Sequence, residues 1–199
     1  MPVRFFILYT IVTFGCLSCS DQNQATVKPI NIDTANQQTF FPVTDYIRGQ
    51  LAEIDSLPIT PVKIINADGK TDSIWMKKED IRLFAQPFLS PEIDTSNFKK
   101  LFIEKSFLDQ TINAFTFSYD PILDLPDTLQ LRRWDVYIDA KKNTIIRIFM
   151  VKEQKLNGNL QTQQLTWKSG RWCRITTITE QPGKPAILKE ELMKWDFSE

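Results

Sequence analysis

Apolar and polar residues alternate with a period of two along most of the chain beyond Asn97. This alternation predicts half-buried β-strands, because successive side chains of a strand point to opposite faces. The turn sequences Asn157-Gly158 and Ser169-Gly170 separate neighbouring segments, which is typical of an antiparallel meander. The predicted strands cover residues 98–107, 112–119, 132–139, 144–153, 160–167, 172–179 and 186–196. The last segment also fits helical spacing, and we favour a strand there.

Before Asn97 the apolar residues follow a helical spacing instead. Ile47, Leu51 and Ile54 lie three or four residues apart and so share one face of a predicted helix. A second short helix is predicted over residues 78–86, with Leu83 among its apolar positions.

A hairpin is predicted between the two helices. Its strands cover residues 62–67 and 73–76, and Asp68-Gly69 forms the turn. The sequence therefore predicts an α+β fold in which two short N-terminal helices with a hairpin precede a curved antiparallel β-meander, within a single domain over residues 39–199.

The lengths of the turns predict which side chains share a face of the sheet. Two-residue turns at Asn157-Gly158 and Ser169-Gly170 place Met150 opposite Leu165, and Trp167 opposite both Ile148 and Trp172. Arg174 belongs to a segment in which arginines alternate with tryptophan. The candidate partner or ligand face therefore consists of Ile148, Met150, Leu165, Trp167, Trp172 and Arg174.

The opposite face of this predicted sheet is also apolar. It collects Cys173 and Ile175, and a simple register after residue 139 adds Trp134 and Val136. Two apolar faces need two covers, and two short helices cover only one. Either the other face contacts a partner or lines a groove, or the rest of the chain covers it.

The N-terminus has the layout of a secretory signal peptide. Arg4 precedes an apolar run at residues 5–14, and small residues follow at 15–19. The run is too short to span a bilayer, which takes about 20 apolar residues. We expect residues 1–18 to be removed.

The residues around Cys19 resemble the lipobox of bacterial lipoproteins. Cys19 follows Ser18, whereas the competing Cys16 follows Gly15 with the bulky Phe14 behind it, so Cys19 is favoured. The polar residues that follow are similar to the start of mature Bacteroidota lipoproteins. This resemblance implies a lipid on Cys19 and an outer-membrane location, facing the periplasm or the cell surface. Residues 19–38, which lack aromatic side chains, then form a flexible polar tether.

Composition narrows the range of functions. The 199 residues include 24 Lys and Arg, 24 Asp and Glu and no His. A chain with no net charge is a poor partner for nucleic acid, and the absence of His removes the commonest general base and metal ligand. Cys173, the one cysteine beyond residue 19, is expected to be a buried structural residue.

These observations predict a noncatalytic, membrane-anchored envelope lipoprotein without cofactor or metal. We expect it to be an accessory or scaffold subunit that binds another envelope protein or an outer-membrane protein complex. The alternative is a lipid- or glycan-binding carrier that uses the apolar, tryptophan-bearing sheet face.

Overall fold

A computed structural model describes residues 40–94 and 96–198 of the chain. The predicted signal peptide, the predicted acylation site at Cys19 and the predicted tether lie outside the described residues. The helices are α1 (Val43–Ser56) and α2 (Lys78–Leu89). The strands are β1 (Val62–Ala67), β2 (Lys70–Trp75), β3 (Phe102–Asp109), β4 (Ala114–Pro121), β5 (Leu131–Asp139), β6 (Ile145–Leu156), β7 (Asn159–Lys168), β8 (Trp172–Glu180) and β9 (Ile187–Lys194).

All the strands pair in one sheet with the order β2-β1-β9-β8-β7-β6-β5-β4-β3. Every pairing is antiparallel, which confirms the antiparallel sheet predicted from the alternation of apolar residues. Most neighbours are joined by short turns, as in a meander. The exception is β9, which returns between β8 and β1.

The predicted α+β fold class is wrong. The hairpin β1–β2 does not form a separate N-terminal piece with two short helices, because β9 pairs with β1 and draws the hairpin into the main sheet. The described chain is mostly a single nine-stranded antiparallel sheet, accompanied by helices of 14 and 12 residues. Pairing at β9 was missed because the order of strands in a sheet is not encoded by the periodicity of any one strand.

Both helices pack on the same face of the sheet, called here the helix face. α1 buries Ile47, Leu51 and Ile54, and α2 buries Ile81, Phe84 and Phe88. The ring of Phe88 meets that of Trp167 at 5.3 Å between centroids in a perpendicular arrangement. One apolar core therefore fills the space between the helices and the middle of the sheet. The other side, which neither helix covers, is called the open face.

The turn at Asn157-Gly158 has the predicted register. Met150 pairs with Leu165 and Ile148 pairs with Trp167. Asn157 and Gly158 have φ values of 52° and 78°, which is the backbone that a tight two-residue hairpin requires. The choice of Asn and Gly at these positions therefore fixes how β6 faces β7.

The predicted turn at Ser169-Gly170 is wrong by one residue. Trp172 pairs with Lys168 instead of Trp167, so three residues separate the strands. A shift of one residue moves every side chain of the next strand to the other face. As a result Cys173 lies beside Trp167 on the helix face, and Trp172 lies on the open face.

A register shift between β5 and β6 corrects the second predicted face. Ile138 pairs with Ile145, whereas Tyr137 pairs with Arg147, so β6 has an extra residue at this point. This bulge places Trp134 opposite Met150. Apart from Trp172, the apolar residues that the sequence analysis divided between two faces therefore lie together on the helix face.

None of the helices formed by residues 40–94 and 96–198 combines the length and the apolar character needed to cross a bilayer.

Candidate binding surfaces

Most of the predicted partner face is inaccessible. Ile148, Met150, Leu165 and Trp167 are completely buried on the helix face beneath α1 and α2. They cannot contact another molecule without loss of the core. Their assignment to a binding surface was wrong because the sequence could not show that the same face receives both helices.

Trp172 and Arg174 are separated from those four residues and lie on the open face. The Arg174 guanidinium lies over the indole of Trp172, with its central carbon 5.1 Å from the ring centroid. Its Nη1 atom is 3.5 Å from Glu190 Oε2 on β9. The pair is partly exposed, so these two predicted site residues remain available for contact.

Five neighbouring strands place cationic and aromatic residues in one line across the open face. In spatial order this basic row consists of Lys194, Trp172, Lys168, Arg147 and Tyr137. Each residue lies within the first or last three positions of its strand, so the row runs along one end of the sheet. The Arg147 guanidinium carbon is 3.9 Å from the centroid of the Tyr137 ring, which gives a close cation–π contact.

Charges elsewhere on the open face are largely compensated. The buried carboxylate of Asp135 accepts a hydrogen bond from Arg133 Nε at 3.1 Å. Asp120 contacts the same Arg133 Nε at 3.7 Å and accepts a bond from Lys105 Nζ at 3.0 Å. Because cations and carboxylates alternate here, this part of the face offers neither sign of charge in excess.

An apolar groove lies between the edge strand β2 and helix α2. This β2–α2 groove has a volume of about 430 Å³. Its rim is formed by Ile74 and Leu83, which are 61% and 72% exposed. Trp75 also borders the groove, but its ring lies on the open face and packs against Phe197. Leu83 was assigned to the apolar positions of its helix, but it lies outside the buried stripe of Ile81, Phe84, Ala85 and Phe88. A leucine outside the buried stripe of the helix is the feature of the sequence that could have indicated the groove.

The groove has a charged pair at its base. Lys63 Nζ lies 2.7 Å from Glu191 Oε1, and the same ammonium lies over the Phe84 ring at 5.2 Å from its centroid. Burial opposes ionisation of Glu191, but hydrogen bonds from Lys63 and Lys189 outweigh it and hold the pKa of the carboxyl below its ordinary value. The pair is therefore ionised and internally satisfied, and the groove offers a partner mainly its apolar rim.

Lys152 is a buried cation in the middle of the helix face. Its Nζ donates hydrogen bonds to the carbonyl oxygens of Pro87 and Ser90, where α2 ends. The last turn of α2 contains no basic residue, so Lys152 supplies the positive charge that complements this helix end. Burial lowers the pKa of Lys152 to about 8. Its bonds within the core give it a structural position, away from any accessible surface.

Cys173 is completely buried, as predicted. Burial raises the pKa of its thiol well above the ordinary value. A thiol that stays protonated and covered is a poor nucleophile. The residue therefore packs beside Trp167 and contributes to the core.

Within the described residues, no three or more Cys, Asp or Glu side chains come together as a metal site. Comparisons with protein-family models, with curated proteins and with solved structures give no match to this chain.

Proposed function

We propose that this protein is a lipid-anchored, noncatalytic component of the bacterial outer membrane, and that it binds another envelope protein through the β2–α2 groove. The exposed groove rim of Ile74 and Leu83 is the observation on which this proposal depends. The signal-peptide layout and Cys19 support the location. The segment of the partner that binds in this groove is an extended, apolar stretch of polypeptide.

The chemistry of the groove favours polypeptide because the free edge strand β2 ends at the groove, at Ile74 and Trp75. β2 is the last strand of the sheet, so its outer N–H and C=O groups have no strand partner among the described residues. An extended segment that adds to this edge gains main-chain hydrogen bonds, and its alternate side chains point into the groove. Burial of a large apolar side chain contributes about 1.5–3 kcal/mol, so Ile74 and Leu83 would add to the affinity that the main-chain hydrogen bonds supply.

The carrier function is less well supported. It required the face that bears Trp167 to line a cavity for lipid or glycan. α1 and α2 occupy that space, and Trp167 is completely buried. We therefore propose the β2–α2 groove, and not the buried face that bears Trp167, as the binding surface.

Placing a carboxylate on the groove rim tests this proposal. Leu83→Asp is expected to lower the recovery of the partner by more than about tenfold, because burial of an unpaired charge opposes docking. The measurement is photo-crosslinking in intact cells from a reactive amino acid at position 74, followed by mass spectrometry. Leu123→Asp is the matched control, since Leu123 is 74% exposed and lies on a different loop.

Two further outcomes are informative. Thermal unfolding of the Leu83→Asp protein is expected to match that of the parent, because exposed substitutions change stability by about 0.5 kcal/mol or less. Recovery of the same partner from Leu83→Asp and parent cells would contradict a contact at the groove.

The anchor itself is tested by replacing each candidate cysteine. Cys19→Ala is expected to move the protein from the membrane fraction to the soluble fraction, because the acyl chains are lost. Cys16→Ala is expected to leave it in the membrane. Fractionation with mass spectrometry of the N-terminal peptide measures both results, and release by Cys16→Ala alone would reverse the assignment.

A further inference from the structure

We propose that the end of the sheet formed by the basic row and the β3–β4 hairpin rests directly on an anionic lipid surface. The inference uses the envelope location given under the proposed function, but it does not depend on the partner of the β2–α2 groove. It assigns the domain an orientation on the membrane that a flexible tether alone would not provide.

The basic row supplies the charge complementarity. The row contains three cations, Lys194, Lys168 and Arg147, together with Trp172 and Tyr137, and no carboxylate stands among them. Within residues 40–94 and 96–198, none of the three cations forms a salt bridge. Their positive charge is therefore available to phosphate headgroups, and each such cation strengthens binding to an anionic surface about fivefold.

The β3–β4 hairpin supplies apolar side chains at the same end of the sheet. Phe107, Ile112 and Phe115 are exposed large hydrophobic residues around its turn. The neighbouring β5–β6 turn contains the exposed Lys141 and Lys142. Apolar side chains flanked by lysines are the arrangement found where proteins lie in the interfacial layer of a bilayer.

A backbone hydrogen bond holds these two turns side by side. The N–H of Ala140 donates to the carbonyl oxygen of Asn113 at 3.2 Å. The nearby carboxylates of Asp109 and Asp139 accept hydrogen bonds from backbone N–H groups of their own turns, at 2.8 to 2.9 Å. Hydrogen bonds from the N–H groups of Lys142 and Lys141 hold the pKa of Asp139 below its ordinary value, so this acid stays negatively charged. The excess of positive charge at this end of the sheet therefore comes from the basic row.

A bilayer fits this surface better than an acidic protein does. Tryptophan and tyrosine next to lysine and arginine are enriched at membrane interfaces, where one part of the side chain is apolar and the other remains hydrated. A tether also keeps a lipid surface at high effective concentration, so a modest affinity is enough to fix the orientation. Binding to an acidic protein remains a separate outcome of the test.

Depth-dependent quenching tests the orientation. An environment-sensitive fluorophore is attached to the full chain at Ile112→Cys or, as the control, at Leu123→Cys in the β4–β5 loop at the other end of the sheet. The protein is reconstituted in vesicles of phosphatidylglycerol and phosphatidylethanolamine that carry a lipid-linked quencher. Quenching is expected at position 112 and not at position 123.

A charge-neutralised variant identifies the cause. A triple variant is expected to abolish the difference in quenching between positions 112 and 123; its substitutions are Arg147→Gln, Lys168→Gln and Lys194→Gln. Transfer of the parent to neutral phosphatidylcholine vesicles is expected to have the same effect. Equal quenching at both positions in protein that floats with anionic vesicles would overturn the proposal. A difference in quenching that remains in the triple variant would also overturn it.

Flotation separates this inference from the lipid anchor. Cys19→Ala chain that floats with anionic but not with neutral vesicles supports the docking surface, whether or not the natural chain is acylated. Acylated chain that floats with both, with equal quenching at the two positions, supports the anchor and contradicts the docking surface. Capture of an acidic protein by the basic row, with no flotation of unacylated chain, would also contradict it.

Discussion

Replacing Trp134 with alanine is expected to lower the free energy of unfolding by about 3–5 kcal/mol. Trp134 is completely buried on β5, at the centre of the helix face. Its indole stacks on the Tyr119 ring at 4.5 Å between centroids with an interplanar angle of 8°. The rings of Phe102 and Phe40 meet it edge-on at 4.7 and 5.9 Å. A cavity at this position removes contacts from all three rings.

The expected loss is large because this cluster joins distant parts of the chain. Phe40 precedes α1, Phe102 begins β3 and Tyr119 lies in β4. The Tyr119 hydroxyl also accepts a hydrogen bond from the N–H of Phe41 at 3.2 Å. Neighbouring aromatic rings cannot collapse into the cavity without breaking this junction, so little of the lost packing is recovered.

Urea unfolding monitored by circular dichroism measures the effect. Trp75→Ala is the matched control, because that indole is 65% exposed and its loss is expected to change stability by less than about 1 kcal/mol. Trp134→Phe keeps a ring against Tyr119 and is expected to fall between the two. Equal destabilisation by Trp134→Ala and Trp75→Ala would contradict the central role of Trp134.

The strands and two turns, Asp68-Gly69 and Asn157-Gly158, could be predicted from local pattern. Alternation of apolar residues marks each strand of the meander, and Asn157-Gly158 favours only one kind of hairpin turn. These features depend on residues that are close in sequence. The pairing of β9 with β1 depends on residues more than a hundred positions apart, and no local pattern specifies it.

The candidate site was mispredicted because one additional residue at each of two places exchanged the faces of a strand's side chains. One additional residue in the turn after Ser169 exchanges the faces of Cys173 and Trp172. One additional residue near Ile146 does the same for Trp134 relative to Met150. Apolar alternation shows that a strand has two different sides, but it does not show which side meets the neighbouring strand's core residues. The sheet thus has one apolar face covered by helices, and the binding surfaces lie elsewhere.

The groove could not be recognised in advance for a related reason. Ile74 and Trp75 resemble the end of an ordinary strand, and their exposure results from the position of β2 at the edge of the sheet. An edge position follows from the global strand order. The exposed Leu83 gains significance only when α2 is known to lie beside that edge.

Lys152 is expected to make the stability of the protein increase with pH. Burial lowers the pKa of its ammonium group from an ordinary value of 10.5 to about 8 in the folded state. Between these values the unfolded chain binds a proton that the folded protein has released, so the free energy of unfolding rises with pH. Each unit of difference is worth about 1.4 kcal/mol, which gives a total rise of about 3 kcal/mol across this window.

The measurement compares the parent protein with Lys152→Met from pH 7 to about pH 11. The unfolding free energy of the parent minus that of Lys152→Met is expected to be constant up to about pH 8 and then to rise until about pH 10.5. Burial also raises the pKa of Tyr46 and Tyr119, which lowers stability at high pH. Both proteins contain these tyrosines, so their effect cancels in the difference.

Lys155→Met provides the control, because Lys155 is exposed three residues further along the same strand. Both the parent and Lys155→Met contain Lys152, so the contribution of Lys152 cancels in the difference between them. If the difference in unfolding free energy between the parent and Lys152→Met also does not change with pH, the carbonyl oxygens of Pro87 and Ser90 fully offset the cost of burying the ammonium group. In that case the ammonium would remain charged in the core throughout, held by the end of α2, and the pH dependence would have to come from other groups.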